Sequence, residues 1–99
     1  MCIRDRIERI EAATSRLFEL CMEAVEHVVR AGRFAEFGIA PRFFDLVAAS
    51  WDEDDPTVYG RFDLAYDGEG TVSLLEFNAD TPTSLVETAA AQWLSLIHI

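Results

Sequence analysis

The sequence predicts an α+β fold, amphipathic helices followed by an antiparallel β-hairpin and a C-terminal helix, and three observations carry that prediction. Apolar residues recur at three- and four-residue spacing from Ile7 to Val28. From Thr57 to Phe77 the period changes to two, and Asp67-Gly68-Glu69-Gly70 falls between the alternating runs as a turn.

In the first element, Ile7, Ile10, Ala13, Leu17, Leu20, Ala24 and Val28 form one stripe, predicting a helix over about 6–31 with Gly32 as its stop. Glu8, Glu11, Glu19, Glu23 and Glu26 mostly occupy its outer side and read as solvated charge. His27 has no second ligand at a useful spacing and reads as structural. Next come Phe34, Phe37, Ile39, Phe43, Phe44, Leu46 and Val47, which supply most of the aromatic mass and are expected in the core, since no basic groove accompanies them for base stacking. Pro41 can open a short helix over 42–50, because its missing N–H falls where no intrahelical partner exists.

Trp51-Asp52-Glu53-Asp54-Asp55-Pro56 is an acidic connector without the alternating oxygen ligands and glycine of a calcium loop. The first strand alternates Val58, Phe62, Leu64 and Tyr66 against Tyr59, Arg61, Asp63 and Ala65, and Thr71 to Phe77 returns. Asn78 to Thr83 is a loop, with Pro82 disfavouring helix at Thr81. Ser84 can cap a helix over 85–94, with Glu87 three positions on as a capping box requires.

Ninety-nine residues suffice for one small domain and are too few for an enzyme that handles ATP and two further substrates. The net charge of −10, from 8 basic against 18 acidic residues, disfavours nucleic acid and anionic membranes as partners and suits metal ions or amines. Cys2 and Cys21 form no spaced pair, which argues against a disulfide or zinc site. No apolar run reaches the roughly 20 residues of a membrane span, and the expected setting is cytoplasmic. Residues 1–6 and 95–99 resemble translated adapter read-through, so the natural segment is expected over 7–94, and His98 is not taken as a ligand.

The hairpin carries the chemistry. A four-residue turn would set Tyr66 opposite Thr71, Arg61 opposite Glu76 and Asp63 opposite Leu74. Arg61, Asp63, Glu76 and Asn78 then share one face, while Phe62, Leu64, Leu75 and Phe77 form a buried layer on the other. Two carboxylates and an amide oxygen are hard donors suited to magnesium, and Arg61 could engage a carboxylate or phosphoryl oxygen beside it. Thr81 and Thr83 add hydroxyls just past those donors. The same residues also read as an ordinary Arg61–Glu76 ion pair with a solvated Asp63, and residue chemistry leaves both readings open.

Tyr59-Gly60-Arg61-Phe62-Asp63, the block from Leu74-Leu75-Glu76-Phe77-Asn78-Ala79-Asp80-Thr81-Pro82-Thr83 to Glu87, and Gln92-Trp93 resemble the glutathionylspermidine synthase family over most of residues 35–94. That resemblance implies a partial pre-ATP-grasp domain over 7–94 of an ATP-grasp ligase. Such enzymes activate the glycine carboxylate of glutathione as an acyl phosphate, from which the amine of spermidine displaces phosphate to form the amide. It implies magnesium and ATP, with Asp63, Glu76 and Asn78 as metal residues, Arg61 as the catalytic residue that stabilises the phosphorylated intermediate, and Thr81 and Thr83 near glutathione. Threonines stand where the family's best-studied form has serines, which leaves the acid and the amine open. The family's glycine-rich phosphate loop and ATP-holding lysines are absent, so the chain alone is expected to be inactive. The alternatives are a non-catalytic acidic interaction domain and a ligase-like scaffold for another substrate.

Overall fold

The computed structural model describes residues 2–57, 59–80 and 85–97, and its architecture is α+β. Helix α1 (Ile3–Ala31) is the long axis, about 43 Å at 1.5 Å per residue. It begins three residues earlier than the apolar stripe predicts, with Arg4 reaching Glu8 at 3.1 Å across its first exposed turns. It ends at Gly32, whose φ of 65° places it in the left-handed region and lets its N–H reach the carbonyls of Val28 and Val29.

The side of α1 that meets other elements is rotated from the predicted stripe. Phe18 touches the hairpin, and Phe18, Met22, Val25 and Val29, spaced four, three and four apart, face Leu46, Val47 and Trp51 of the next helix across a cleft. Ile7, Leu20 and Ala24 of the predicted stripe are exposed, whereas Ile10, Ala13, Leu17 and Val28 are half-buried. The helix is apolar on two adjacent sides, so periodicity alone could not say which one the hairpin covers.

Two 3₁₀ turns, Phe34–Phe37 and Pro41–Phe43, lead into α2 (Phe44–Asp52). Pro41 opens the second turn, and the α-helix proper starts at Phe44, later than the predicted residue 42. Phe34 is buried and packs on Phe44 at 5.1 Å between ring centroids. The rest of the aromatic segment departs from the core expectation: Phe37, Phe43 and Leu46 are exposed, because two short turns and a nine-residue helix have little besides α1 to pack against. Polar contacts tie α2 to α1. Trp51 Nε1 donates to Glu26, and Arg30 bridges Glu26 at 2.7 Å and Asp52 at 2.8 Å.

Strands β1 (Gly60–Tyr66) and β2 (Val72–Ala79) form a two-stranded antiparallel sheet, and α3 (Leu85–Ile97) follows. The turn is longer than predicted. Tyr66 pairs with Val72 rather than Thr71, because the Asp67 carboxylate accepts the N–H groups of Glu69, Gly70 and Thr71 at 2.8, 2.9 and 3.0 Å and draws Thr71 into the turn.

Val29 and Phe34 are the buried apolar residues among those described. The radius of gyration is 17.4 Å, well above the roughly 13 Å of a compact domain this long. The molecule is a helix with a hairpin and a small helical unit laid against it, and its core is thin.

Candidate functional site

The two strands hold the candidate residues in a register that differs from the predicted one. Arg61 pairs with Asn78, Phe62 with Phe77 and Asp63 with Glu76; beyond that point Leu64 pairs with Leu74. Leu75 is therefore an extra residue on β2, a bulge between the Asp63 and Leu64 positions. This replaces the predicted opposition of Arg61 to Glu76 and of Asp63 to Leu74. It also removes Leu75 from the buried layer, where it was expected, and leaves it 69% exposed. The bulge is the physical reason: one added residue restores Leu74 to the apolar side facing Leu64 and turns Leu75 out.

The facing of the four polar residues survives the shift. Directly opposed residues project from the same side, as do residues two apart on one strand, so Arg61, Asp63, Glu76 and Asn78 occupy one face. On the other face the Phe62 and Phe77 rings stack at 4.2 Å and 18°, and Phe18 of α1 meets Phe77 edge-on at 6.2 Å and 76°. The aromatic side anchors the hairpin to the helix.

Within that polar face Arg61 forks onto Asp63, Nε to Oδ1 at 2.9 Å and Nη2 to Oδ2 at 3.3 Å, with both side chains about a third exposed. Its hydrogen bond to Asp63 is the largest cause holding the Arg61 guanidinium pKa above its ordinary value, followed by the Asp63 charge; Glu76 and Tyr59 add less. The ordinary-ion-pair reading placed Arg61 across from Glu76. Instead Asp63 and Glu76, two carboxylates, are directly opposed. Like charges at that position oppose strand pairing, and the Arg61 guanidinium, forked onto Asp63 and more weakly attracted to Glu76, offsets part of that repulsion.

Asn78 carries an unpaired donor: its Nδ2 is buried with no hydrogen-bond partner. A buried amide donor left unpaired costs about 1–3 kcal/mol, and an incoming oxygen would relieve it. The same side chain carries a hard oxygen donor, so Asp63, Glu76 and Asn78 fit a cation of the magnesium type in chemistry. Among the described residues no three of His, Cys, Asp and Glu converge as metal ligands, so any such set depends on the asparagine. An open cleft of about 680 Å³ between α1 and β1 reaches Arg61 and is lined by Thr14, Ser15, Phe18, Glu19 and Phe62. Thr81 and Thr83 lie outside the described residues, as does the proposed cap Ser84.

Sequence reading missed Phe18, which falls off the predicted stripe yet reaches the hairpin, and it placed Asp67 in the turn without the carboxylate's bonds to the turn's N–H groups. The Asp67-Gly68 pair was the available signal for the second.

The profile of the family described as "Glutathionylspermidine synthase preATP-grasp" matches residues 2–98. A Haemophilus influenzae protein described as "Putative acid--amine ligase" is 38% identical over 93 residues, covering 94% of this chain and 23% of that protein. A Crithidia fasciculata "Glutathionylspermidine synthase" is 33% identical over 93 residues, covering 89% of this chain and 13% of that protein. The chain thus spans less than a quarter of the length of either relative. No solved structure matches it.

Proposed function

The chain belongs to the glutathionylspermidine synthase preATP-grasp family, and from that premise we propose that its hairpin supplies the charge-neutralising face of an ATP-dependent acid–amine ligase. The observation that carries the reading is the direct opposition of Asp63 and Glu76, with the unpartnered Asn78 amide beside them. Carboxylates facing each other across a hairpin are unfavourable by themselves and become favourable around a cation.

In the proposed reaction the γ-phosphoryl group of ATP passes to the acid's carboxylate, giving ADP and an acyl phosphate. The amine then attacks the acyl carbon, the C–O bond to phosphate breaks, and the nitrogen loses a proton as the amide forms. Asp63, Glu76 and Asn78 would hold magnesium, which when bound supplies charge neutralisation at phosphate oxygens. With its Nε and Nη2 side turned to Asp63, Arg61 would meet a phosphoryl oxygen of the acyl phosphate through its Nη1 N–H groups, adding most where charge develops. Thr81 and Thr83 would contact the acid substrate. The narrower assignment, glutathione as acid and spermidine as amine, rests on the resemblance at Leu74–Thr83 and on the name of the Crithidia fasciculata relative.

A chimaera in which this chain replaces the matched stretch of the Crithidia fasciculata enzyme provides the test, read as ATP-dependent formation of glutathionylspermidine. Asp63→Asn and Glu76→Gln should each abolish magnesium-dependent turnover while leaving the circular-dichroism spectrum unchanged. A folded, active chimaera that tolerates both substitutions would overturn the metal assignment, and a folded but inactive unsubstituted chimaera would overturn the functional reading of the segment.

A further inference from the structure

We infer that Gly60 is a positioning residue: its missing side chain is what lets the Phe77 ring pack against β1 and hold Glu76 and Asn78 in register with Asp63 and Arg61. The inference rests on the proposed metal-holding role of that face. A Cβ placed on Gly60 would lie 2.8 Å from Cε2 and 3.3 Å from Cζ of Phe77, and 3.5 Å from the carbonyl oxygen of Asn78. Real Cβ atoms essentially never approach a ring carbon that closely, so any other residue here displaces something. Gly60 is not among the residues with left-handed backbone, so the demand is for space and not for conformational freedom.

The ring cannot step aside freely. Phe62 stacks on it at 4.2 Å, and Phe18 closes on it edge-first from α1. Along the chain, Phe62 lies between Arg61 and Asp63, and Phe77 lies between Glu76 and Asn78. The stacked pair is therefore a pin through the middle of the four polar residues, set on the reverse side of the same strands. A Cβ at Gly60 either breaks that stack or shifts the β2 backbone at Phe77, and the second response carries both flanking donors away from Asp63. Outer supports of this kind usually change metal affinity about 10- to 100-fold when altered.

The test uses Mn²⁺ alone as probe, with free and bound ion separated by electron paramagnetic resonance, in the chimaera described above. Gly60→Ala should fold, by circular dichroism and thermal melting, and bind Mn²⁺ about tenfold more weakly. Phe77→Leu, which removes the ring, should weaken Mn²⁺ binding as well, and the double variant Gly60→Ala/Phe77→Leu should bind no more weakly than Phe77→Leu alone, because both changes act through the same ring, a coupling that a general loss of stability would not produce. Asp63→Asn, the control, should lose the site. Unchanged Mn²⁺ binding by Gly60→Ala, in a protein whose Asp63→Asn variant has lost it, overturns the role of Gly60 and leaves the metal reading standing. Unchanged binding by Asp63→Asn overturns the metal reading and the positioning role with it. Should Gly60→Ala fail to fold, Phe77→Leu decides: a folded variant with weakened Mn²⁺ binding supports the inference, and a folded variant with unchanged binding overturns it.

Discussion

Arg61 and Asp63, two residues apart on β1, lock both guanidinium nitrogens of the fork onto both carboxylate oxygens. The arrangement stations a cation at the edge of a face that otherwise carries opposed acids. If the cation serves the developing intermediate, removing it should hurt turnover and spare ground-state binding. Arg61→Ala is expected to lower kcat by about a hundredfold or more, with little change in KM for ATP and no loss of magnesium affinity. The last expectation follows because withdrawing a positive charge from beside two carboxylates cannot weaken their attraction for another. Arg61→Lys should recover part of kcat at most, since an ammonium lacks the planar fork. Steady-state kinetics at varied ATP and magnesium check this, and parallel loss of ATP binding would count against the role.

The opposition of Asp63 to Glu76 makes a prediction about stability that differs in sign from the one about activity. Replacing Glu76 with Gln removes the like charge opposite Asp63 together with a weaker attraction to Arg61, so the metal-free protein should melt only slightly higher. The unsubstituted protein should melt at a higher temperature when magnesium is added, and Glu76→Gln should lose that increment. Differential scanning fluorimetry with and without magnesium measures both. A metal-free Tm that falls on Glu76→Gln would mean that the attraction of Glu76 to Arg61 outweighs its repulsion by Asp63.

The sequence was legible where one period dominates and one neighbour is available. The hairpin, its turn location and the shared face of Arg61, Asp63, Glu76 and Asn78 were all readable because a strand alternates strictly. The pairings themselves were not, because a carboxylate inside the turn and an added residue at Leu75 both move the register, and neither alters the alternation of the strand next to it. The contact side of α1 was obscured for a different reason. Phe18 and Met22 stand one residue along from Leu17 and Cys21, so two adjacent faces compete, and docking of Phe77 selects between them. The aromatic segment misled because aromatic composition implies burial, whereas burial requires a covering element.

Asp67 sets the pH dependence of the turn. Its carboxylate accepts three backbone N–H groups, first Glu69 and then Gly70 and Thr71, and these hold its pKa well below the ordinary carboxylate range. A carboxylate with a depressed folded-state pKa adds stability that is fully present above its unfolded value of about 3.8 and is lost as pH falls through the folded value. The carboxyl carbon of Asp67 should therefore still report the ionised form near about pH 3, where unperturbed acids are largely protonated. Asp67→Ala should loosen the hairpin at neutral pH, read as faster amide exchange at Thr71 and Val72. An Asp67 resonance that titrates with the bulk of the acids would refute the turn assignment.

The thin core bears on what the 99 residues can do unaided. Val29 and Phe34 are buried, while Phe18, Leu46, Leu75 and Trp93 are among the large apolar side chains left exposed. Apolar burial is the main term that offsets conformational entropy, and a chain this extended recovers little of it. The isolated chain should therefore melt over a broad range, bind a hydrophobic dye, and scatter as a particle of roughly its 17.4 Å radius of gyration or larger. It should also form no amide from ATP, an acid and an amine, because the lysines and glycine-rich loop that the family resemblance implies for holding ATP are missing from its sequence. A sharp two-state melt would place enough core within these residues for independent folding, and ATP-dependent ligation by the isolated chain would move the nucleotide site onto it.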